Sequence, residues 1–517
     1  VLITAANYVL AVATLLLAGA SGWAWYRGRA TAAMVLLMGS AFALRLFMAR
    51  LDPFVHDWDE RYHALVARNL MAYPLQPMLR VDTWFPYDYR AWCCNHVWLH
   101  KQPLFMWQMA LAMKLFGSSA FTLRLPSALL SSLVLWPIYR LGSLAFGDKL
   151  AGYLGAVLGA FAYYQLELVS GAIGMDHNDV AFLAYVTGSI WAYYEYRAQP
   201  RWGGWLVLVG VLAGAAVLCK WLTGLAVFAG WGIDVLLHLR QRRPLPELTR
   251  LLGALLVAVA VLLPWQLYTA WRFPAESTYE STYNAQHFTT ALEGHDTSWT
   301  FHFGMLPFHY GPLVLGLLGV GAGLALTKRY RRDALPLLAL IVLVFGFFTV
   351  AATRMYSYTY VLSPLLLLVA ALPLAVVGRW LAARPAPMRW LLGGAGMAAV
   401  VLADLRPWGI AAGHTAGGNY GMLEISHREQ RVHSAQIYTQ LAQELPASSI
   451  IFNAPYGQEV EAMFYAGQPV YGGIPSEATV QRLRTAGVHI AIFPKEEGEL
   501  PPYLRTPDVQ LLWGPPR

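Results

Sequence analysis

Apolar runs about as long as a bilayer's hydrocarbon core is thick recur in this chain, and they decide most of what it can become. They fall near residues 2–24, 31–50, 124–146, 150–170, 178–196, 203–218, 221–238, 250–270, 306–327, 334–352, 357–378 and 390–405. A helix needs roughly 20 residues to cross hydrocarbon. Backbone amides there must bond within their own segment, so the runs are predicted to be helices. Composition agrees, with 57% hydrophobic and 13% charged residues, against about 25% charged in soluble domains. The expected fold is an all-α polytopic membrane protein of about twelve transmembrane helices. The first run, Leu2 to about Trp25, lacks a basic lead and a small-residue cleavage site, and is read as a span rather than a signal peptide.

Charge in the connecting loops orients the bundle. Arg27 and Arg29, Arg197 and Arg201, the Arg240–Arg250 group, the Lys328–Arg332 group, and Arg379, Arg384 and Arg389 fall on one side when the runs are counted. The excess of Lys and Arg in short loops makes that side cytoplasmic. The formal charge of +8 is therefore an orientation signal, and nucleic acid is not an expected partner. The other side receives the loops 51–123, 171–179 and 272–305, the turn near 354–358, and the C-terminus. Within the first of these, Pro103–Phe116 is apolar but short, and is predicted to lie along the interface. The three cysteines, Cys93, Cys94 and Cys219, make neither a disulfide framework nor a metal-ligand spacing.

Hydropathy falls after Ala403, which divides the chain into a membrane region, 1–423, and a small soluble α/β domain, 424–517. Residues 449–453, 468–471 and 489–493 read as strands, and 459–466 and 475–486 as helices. The alternation predicts a small open sheet. No Gly-rich phosphate loop appears in it.

The unusual polar groups of the membrane region gather on the side opposite the basic loops. Asp57, Asp59 and Glu60 follow the second run, and His96, His100 and Lys101 come later in that loop. Asp176, His177 and Asp179 follow, then His287, Glu293, His295 and Asp296, then Arg354, Tyr356 and Tyr358. Acids and bases from distant segments thus reach one depth. A lipid or ion transporter, the alternative reading, places such groups within its spans. The chemistry that fits is attack by an acceptor hydroxyl on a sugar carried by a lipid phosphate. A carboxylate serves as general base, and a phosphate leaving group needs cations more than it needs a proton.

Asp59-Glu60-Arg61-Tyr62 with Ala67-Arg68-Asn69-Leu70 resembles the Asp-Glu-x-Arg-Tyr…Ala-Arg-x-(Met/Leu) signature of the polyprenyl-phosphate-sugar glycosyltransferases. These are the GT-C fold enzymes that include aminoarabinose transferase and the protein O-mannosyltransferases. His100-Lys101-Gln102-Pro103-Leu104, with Trp107 and Leu115-Phe116-Gly117, is similar to the family's (Glu/His)-Lys-Pro-Pro-Leu…Trp…Leu-Phe-Gly run. Arg124-Leu125-Pro126-Ser127-Ala128, Met175-Asp176, Cys219-Lys220, Leu263-Pro264-Trp265, Gln286-His287-Phe288 and Arg354–Tyr358 follow in the family's order over residues 30–365. Gln102 replaces the first proline, the acid signature lacks one spacer, His287 stands where relatives carry Arg, and Arg354 where they carry Lys.

The resemblance implies roles. Asp59 is the expected general base; the residue pattern alone equally allows it to cap a helix starting near Glu60. Glu60 either orients the base or pairs with Arg61 or Arg68. Asp176 is the expected second catalytic carboxylate, or else a solvated turn acid. Lys101, Arg354, Tyr358 and His287 are expected to hold the donor phosphate, and Lys101 and Arg354 can also snorkel at span ends. Lys220 sits at a turn, facing the site or structural. A divalent cation, Mg or Mn, is an open option, because a lipid phosphate recruits one with few protein carboxylates. His177, Asp179, Glu293 and His295 are its candidate ligands. The aromatic loop residues, Trp58, Trp84, Phe85, Tyr87, Tyr89, Trp92 and Trp98, read as an interfacial belt or a sugar platform. The expected activity is inverting transfer of a sugar from a polyprenyl-phosphate donor to a lipid, glycan or protein acceptor. It takes place at the periplasmic or extracellular face of the inner (plasma) membrane. The sequence names neither sugar nor acceptor.

Overall fold

The computed structural model describes residues 4–82, 84–173, 177–239, 244–414, 419–420, 423–424, 428–455, 457–494 and 500–512. Asp176, with Met175, lies outside these residues, as do Arg240, Arg242 and Arg243.

Each apolar run is helical. The bundle opens with α1 (Ala5–Tyr26) and α2 (Ala30–Ala49), and continues with the consecutive pair α5 (Ala120–Leu133) and α6 (Leu135–Ala145). Next come α7 (Lys149–Phe161) with α8 (Tyr163–Ser170), α9 (His177–Ala198), α10 (Gly204–Lys220), α11 (Ala226–Leu237) and α12 (Pro244–Arg272). It closes with α14 (Phe301–Ala325), α15 (Arg331–Val350), α16 (Ser363–Ala382), the single turn α17 (Ala386–Met388), and α18 (Gly394–Leu405) with α19 (Pro407–Gly413). Between α2 and α5 lie two shorter helices, α3 (Asp59–Leu70) and α4 (Leu104–Phe116), and after α12 comes α13 (Pro274–Gln286).

Among the described residues nine helical stretches are long and apolar enough to cross a membrane, fewer than the twelve runs read from sequence. One of the nine, Gly204–Leu237, contains both α10 and α11. The chain doubles back within it: Trp221 has φ 57°, and Gly224 lies against the backbone of Ala216 and Val217. The α7–α8 run falls short because it breaks at Ala162, and α9 carries charge at both ends. The chain is a multi-pass membrane protein.

Two buried arginines explain how two helices break inside the bundle. At Ala162 the freed carbonyls of Gly159 and Ala160 accept from Arg45, at 3.0 and 2.9 Å. At Gly311, with φ 69°, α14 is interrupted, and Arg406 donates to the Phe308 carbonyl at 2.7 Å. An unmet carbonyl at that depth costs several kcal/mol, and a guanidinium has enough donors to meet two. Elsewhere small residues let helices close up, as where Gly210 and Gly214 of α10 face Val257 and Val261 of α12. The outward faces stay apolar, with Leu256 and Leu267 of α12 69% and 60% exposed.

The α4 helix packs on α3 and α5 and exposes Leu111, Leu115 and Phe116, as an interfacial helix does. Beyond α19 a two-residue hairpin, β1 (Asn419–Tyr420) with β2 (Leu423–Glu424), leads into α20 (Arg428–Glu444). There follow β3 (Ser449–Ala454), α21 (Glu459–Ala466), β4 (Val470–Gly472), α22 (Glu477–Thr485), β5 (His489–Ile492) and β6 (Val509–Leu511). The strands form one parallel sheet in the order β4-β3-β5-β6. Buried Ile450, Phe452, Ile490 and Ile492 pack with Val480 and Leu483 of α22. The opposite side rests on the membrane region, with α21 lying against α3.

Candidate active site

The acid motif begins at a strained turn. Trp58, 68% exposed, has φ 62° and ψ −127°, a conformation that side-chain-bearing residues rarely adopt. Asp59 and Glu60 follow as the first residues of α3. Neighbours on a helix point about 100° apart, and these two have opposite fates.

Glu60 is 1% exposed and fully engaged. Arg124 of α5 holds it through two bonds of 2.7 and 2.9 Å, His177 Nε2 sits 3.0 Å from Oε1, and the backbone N–H of His56 donates at 2.5 Å. Arg124 also donates to the carbonyls of Ala49, Asp52 and Phe54. Burial pushes the Glu60 carboxyl up, but Arg124 pulls it down further, so it stays well below the usual carboxylate range. Gly171 has φ 80°, and any side chain there would strike the Glu60 carboxylate. The expected partners of Glu60, Arg61 and Arg68, are elsewhere. Arg61 meets Asp57 and the Gly457 carbonyl, and Arg68 the carbonyls of Met463 and Phe464.

Asp59 faces Lys101, its Oδ2 3.7 Å from Nζ, with the carboxylate 20% exposed. No side chain caps α3, so the helix-cap reading of Asp59 does not hold. Burial raises its pKa, but Lys101, His63, His100 and Lys220 lower it more, and the carboxyl ends below its ordinary value. Burial works against the charge of Lys101; Asp59, Glu293, Asp179 and Glu280 outweigh it and push its pKa up.

A second acid–lysine pair stands beside the first. Lys220, the last residue of α10, reaches Asp179 at 2.5 Å and lies 5.2 Å from the Tyr358 ring centre. Among the described residues, the second oxygen of Asp179 has no hydrogen-bond partner, nor has Oδ1 of Asn178. Lys101, Lys220, Asn178, His287, Glu293 and Tyr358 line a small polar cavity. His287 is anchored to the Tyr283 carbonyl at 3.0 Å, and burial lowers its pKa. Lys220 is the residue whose part the sequence left open, because only the reversal at Trp221 turns it inward.

Other expected site residues lie elsewhere. Arg354 does not line the cavity; it donates to the carbonyls of Thr349, at 3.0 Å, and Thr297, tying the 290s loop to the end of α15. Both ring nitrogens of His177 are engaged, Nδ1 with Ser127 at 2.8 Å and Nε2 with Glu60. Glu293 accepts from the Tyr283 hydroxyl at 2.9 Å, Asp179 is held by Lys220, and the backbone carbonyl of His295 accepts from the Arg354 N–H. Among the described residues, no three His, Cys, Asp or Glu side chains converge as a metal site. The proposed cation ligands His177, Asp179, Glu293 and His295 are thus not one set.

An apolar groove begins where the cavity ends. It runs between α9, α11 and α15, and is lined by residues including Val186, Leu222, Phe288, Leu340, Phe347 and Phe348. Phe288 follows His287, Leu222 is two residues from Lys220, and the Phe348 and Tyr358 rings are 5.1 Å apart. The polar cavity and the apolar groove are therefore lined by neighbouring residues.

Residues 100–268 match the family described as Dolichyl-phosphate-mannose-protein mannosyltransferase. The chain is 25% identical over 343 residues to Undecaprenyl phosphate-alpha-4-amino-4-deoxy-L-arabinose arabinosyl transferase 1 of Pseudomonas fluorescens (strain Pf0-1), covering 61% of this chain and 58% of that one. It is 27% identical over 328 residues to the corresponding transferase of Pseudomonas savastanoi pv. phaseolicola, covering 59% and 60%. The matched part is thus less than two thirds of each relative's length. Among solved structures, ArnT from Cupriavidus metallidurans bound to undecaprenyl phosphate superposes with a TM-score of 0.60 at 17% identity, over 87% of each chain. The oligosaccharyltransferase AglB from Archaeoglobus fulgidus, in complex with an inhibitory peptide and a dolichol-phosphate, gives 0.52 at 14% identity, over 84% of this chain and 64% of that one. The chain has the GT-C fold, and its likeness is to aminoarabinose transferase-like polyprenyl-phosphate-sugar glycosyltransferases.

Proposed function

We propose that this protein is an integral-membrane, inverting glycosyltransferase that moves one sugar from a polyprenyl-phosphate donor to an acceptor hydroxyl. The observation that carries the reading is the junction of the two-lysine cavity with the apolar groove. A lipid phosphate needs both: cations for its head and a dry channel for its chain.

In this reading Lys101 and Lys220 take the donor phosphate, with Tyr358 and His287 beside it. Asp59 accepts the proton of the acceptor hydroxyl as its oxygen attacks the anomeric carbon on the face opposite the phosphate. The bond between that carbon and the phosphate oxygen breaks, its electron pair stays on the oxygen, and polyprenyl phosphate leaves with its charge held by the lysines. A single base with a cationic cradle suits a leaving group that is already acidic. Glu60 acts through geometry, fixing the start of α3 by its bond to Arg124. Asp176, adjacent to His177, remains our candidate for steering the acceptor.

The site faces the periplasm or cell exterior from the plasma membrane, and the acceptor is a lipid, glycan or protein. The reading is tested by incubating the purified protein with radiolabelled polyprenyl-phosphate sugars and fractionated envelope acceptors. Label should pass to one acceptor fraction with inverted anomeric configuration. Retention of all label on the donor would refute it.

A further inference from the structure

The C-terminal domain grips the segment that carries Asp59. From α20, Arg428 pairs with Asp52 at 2.8 Å and donates to the Leu51 carbonyl. One turn on, Arg431 pairs with Asp57 at 2.5 Å and donates to the Val55 carbonyl at 2.8 Å. From α21, the Tyr465 hydroxyl accepts from the Val55 N–H at 3.0 Å, and the carbonyls of Met463 and Phe464 accept from Arg68 at 2.7 and 2.6 Å. The Gly457 carbonyl accepts from Arg61. These contacts bracket Trp58, whose positive φ precedes Asp59. Strained backbone persists only where its surroundings over-determine it, and here much of that constraint comes from residues 374 to 410 positions away.

We propose that Arg431 is a positioning residue: through Asp57 and Val55 it holds the Trp58 turn that aims Asp59 at Lys101. The proposal rests on the reading of Asp59 as general base. It gives Asp57 a task that the acid motif alone does not, and it makes the C-terminal domain part of the active-site scaffold. Asp57 is half exposed, and Arg431 only 12% exposed. Arg431 also meets the buried Glu461 carboxylate at 3.5 Å, so a thermal melt of each variant separates loss of the clamp from loss of the fold.

The experiment uses the full chain in nanodiscs, with Arg431→Ala, Arg431→Lys and the exchange Asp57→Arg/Arg431→Asp. Arg431→Ala is expected to lower kcat by about 10–100-fold, since a misplacement near 1 Å costs on that order, with the donor KM within about twofold. Asp59 faces Lys101, His63, His100 and Lys220, so drifting from Lys101 should move the acid limb of the rate profile to higher pH. Lysine and the charge exchange should each restore part of the rate, the exchange less than fully because it sets a carboxylate against Glu461. Hydrogen exchange at residues 56–62 should quicken in Arg431→Ala and recover in the exchange variant. Wild-type exchange and kcat in Arg431→Ala would overturn the proposal, as would a rate loss that neither rescue variant repairs. Exchange does not depend on the reaction, so absence of transfer by the wild type would refute the functional reading and still leave the clamp decided.

Discussion

The two ends of the bundle both carry charge, and they treat it in opposite ways. At the end away from α3, Arg197 meets Asp234 at 3.0 Å and Asp333 at 2.7 Å, and the Tyr193 hydroxyl donates to Asp234 at 2.5 Å. Arg140 holds Glu195 through two bonds, and Arg379 meets Asp148. Arg197, Asp234 and Asp333 tie α9, α11 and α15 together, Arg140 and Glu195 join α6 to α9, and Arg379 joins α16 to the start of α7. At the α3 end, Asp59 and Lys101 stand 3.7 Å apart, Asp179 keeps an unmatched oxygen, and Trp58, Trp221 and Glu293 have positive φ. The first end is a finished lattice. The second is held by Glu60 and Arg124 but leaves its acids and lysines incompletely matched, which suits a site whose charges must regroup around a substrate.

The difference between the two ends sets what substitutions at each should do. The largest effect should come from Glu60→Gln, which leaves Arg124 buried without its counter-charge, at about 3–5 kcal/mol. A thermal melt in detergent checks it; an unchanged Tm would show that the lock is not structural. Glu60 is held low, so its contribution is present above the ordinary carboxylate pKa and is lost as pH falls through the folded value. At the other end, Asp234→Asn should cost about 1–3 kcal/mol, yet leave kcat and donor KM of the folded fraction alone. A kinetic defect there would erase the distinction between the two ends. Lys220→Ala should weaken donor binding about 10-fold or more, as read by lipid titration, and also lower Tm, because it leaves Asp179 buried without its cation.

A pH-dependent effect concerns Glu461 of α21, whose pKa is raised to about 7, by burial first, with Arg431 opposing and Asp57 adding to it. Arg61 and Glu60 also face it, the former opposing. A raised carboxyl favours the fold while protonated. Its contribution is complete below the usual carboxylate range and fades as pH climbs through about 7, by at most about 1.4 kcal/mol per pH unit. Glu461→Gln should flatten that slope in melts between pH 5 and 8; an identical slope would remove Glu461 from the interface's pH response.

Much of this was legible in the residues. Apolar runs marked the helical segments, because a bilayer leaves the backbone no other way to bond, and strand and helix alternation marked the sheet. What escaped depended on chain reversals and distant partners. Lys220 faces the cavity only because the chain turns at Trp221. Arg354 reads as a phosphate ligand by motif, yet folds onto backbone carbonyls that no pattern announces. Glu60 found its partner in Arg124, a cation within an apolar helix whose presence there was itself a signal of buried pairing. Asp57 had no place in the motif because its partner, Arg431, belongs to another part of the chain.

The central claim is that Asp59 acts as base beside a lysine cradle that binds a lipid phosphate. It is tested most directly by comparing wild type and Asp59→Asn for donor affinity and single-turnover transfer of labelled sugar. Donor binding by Asp59→Asn should stay within a few-fold of wild type and transfer should slow by about 10²–10⁴-fold. Transfer by Asp59→Asn at the wild-type rate would contradict it.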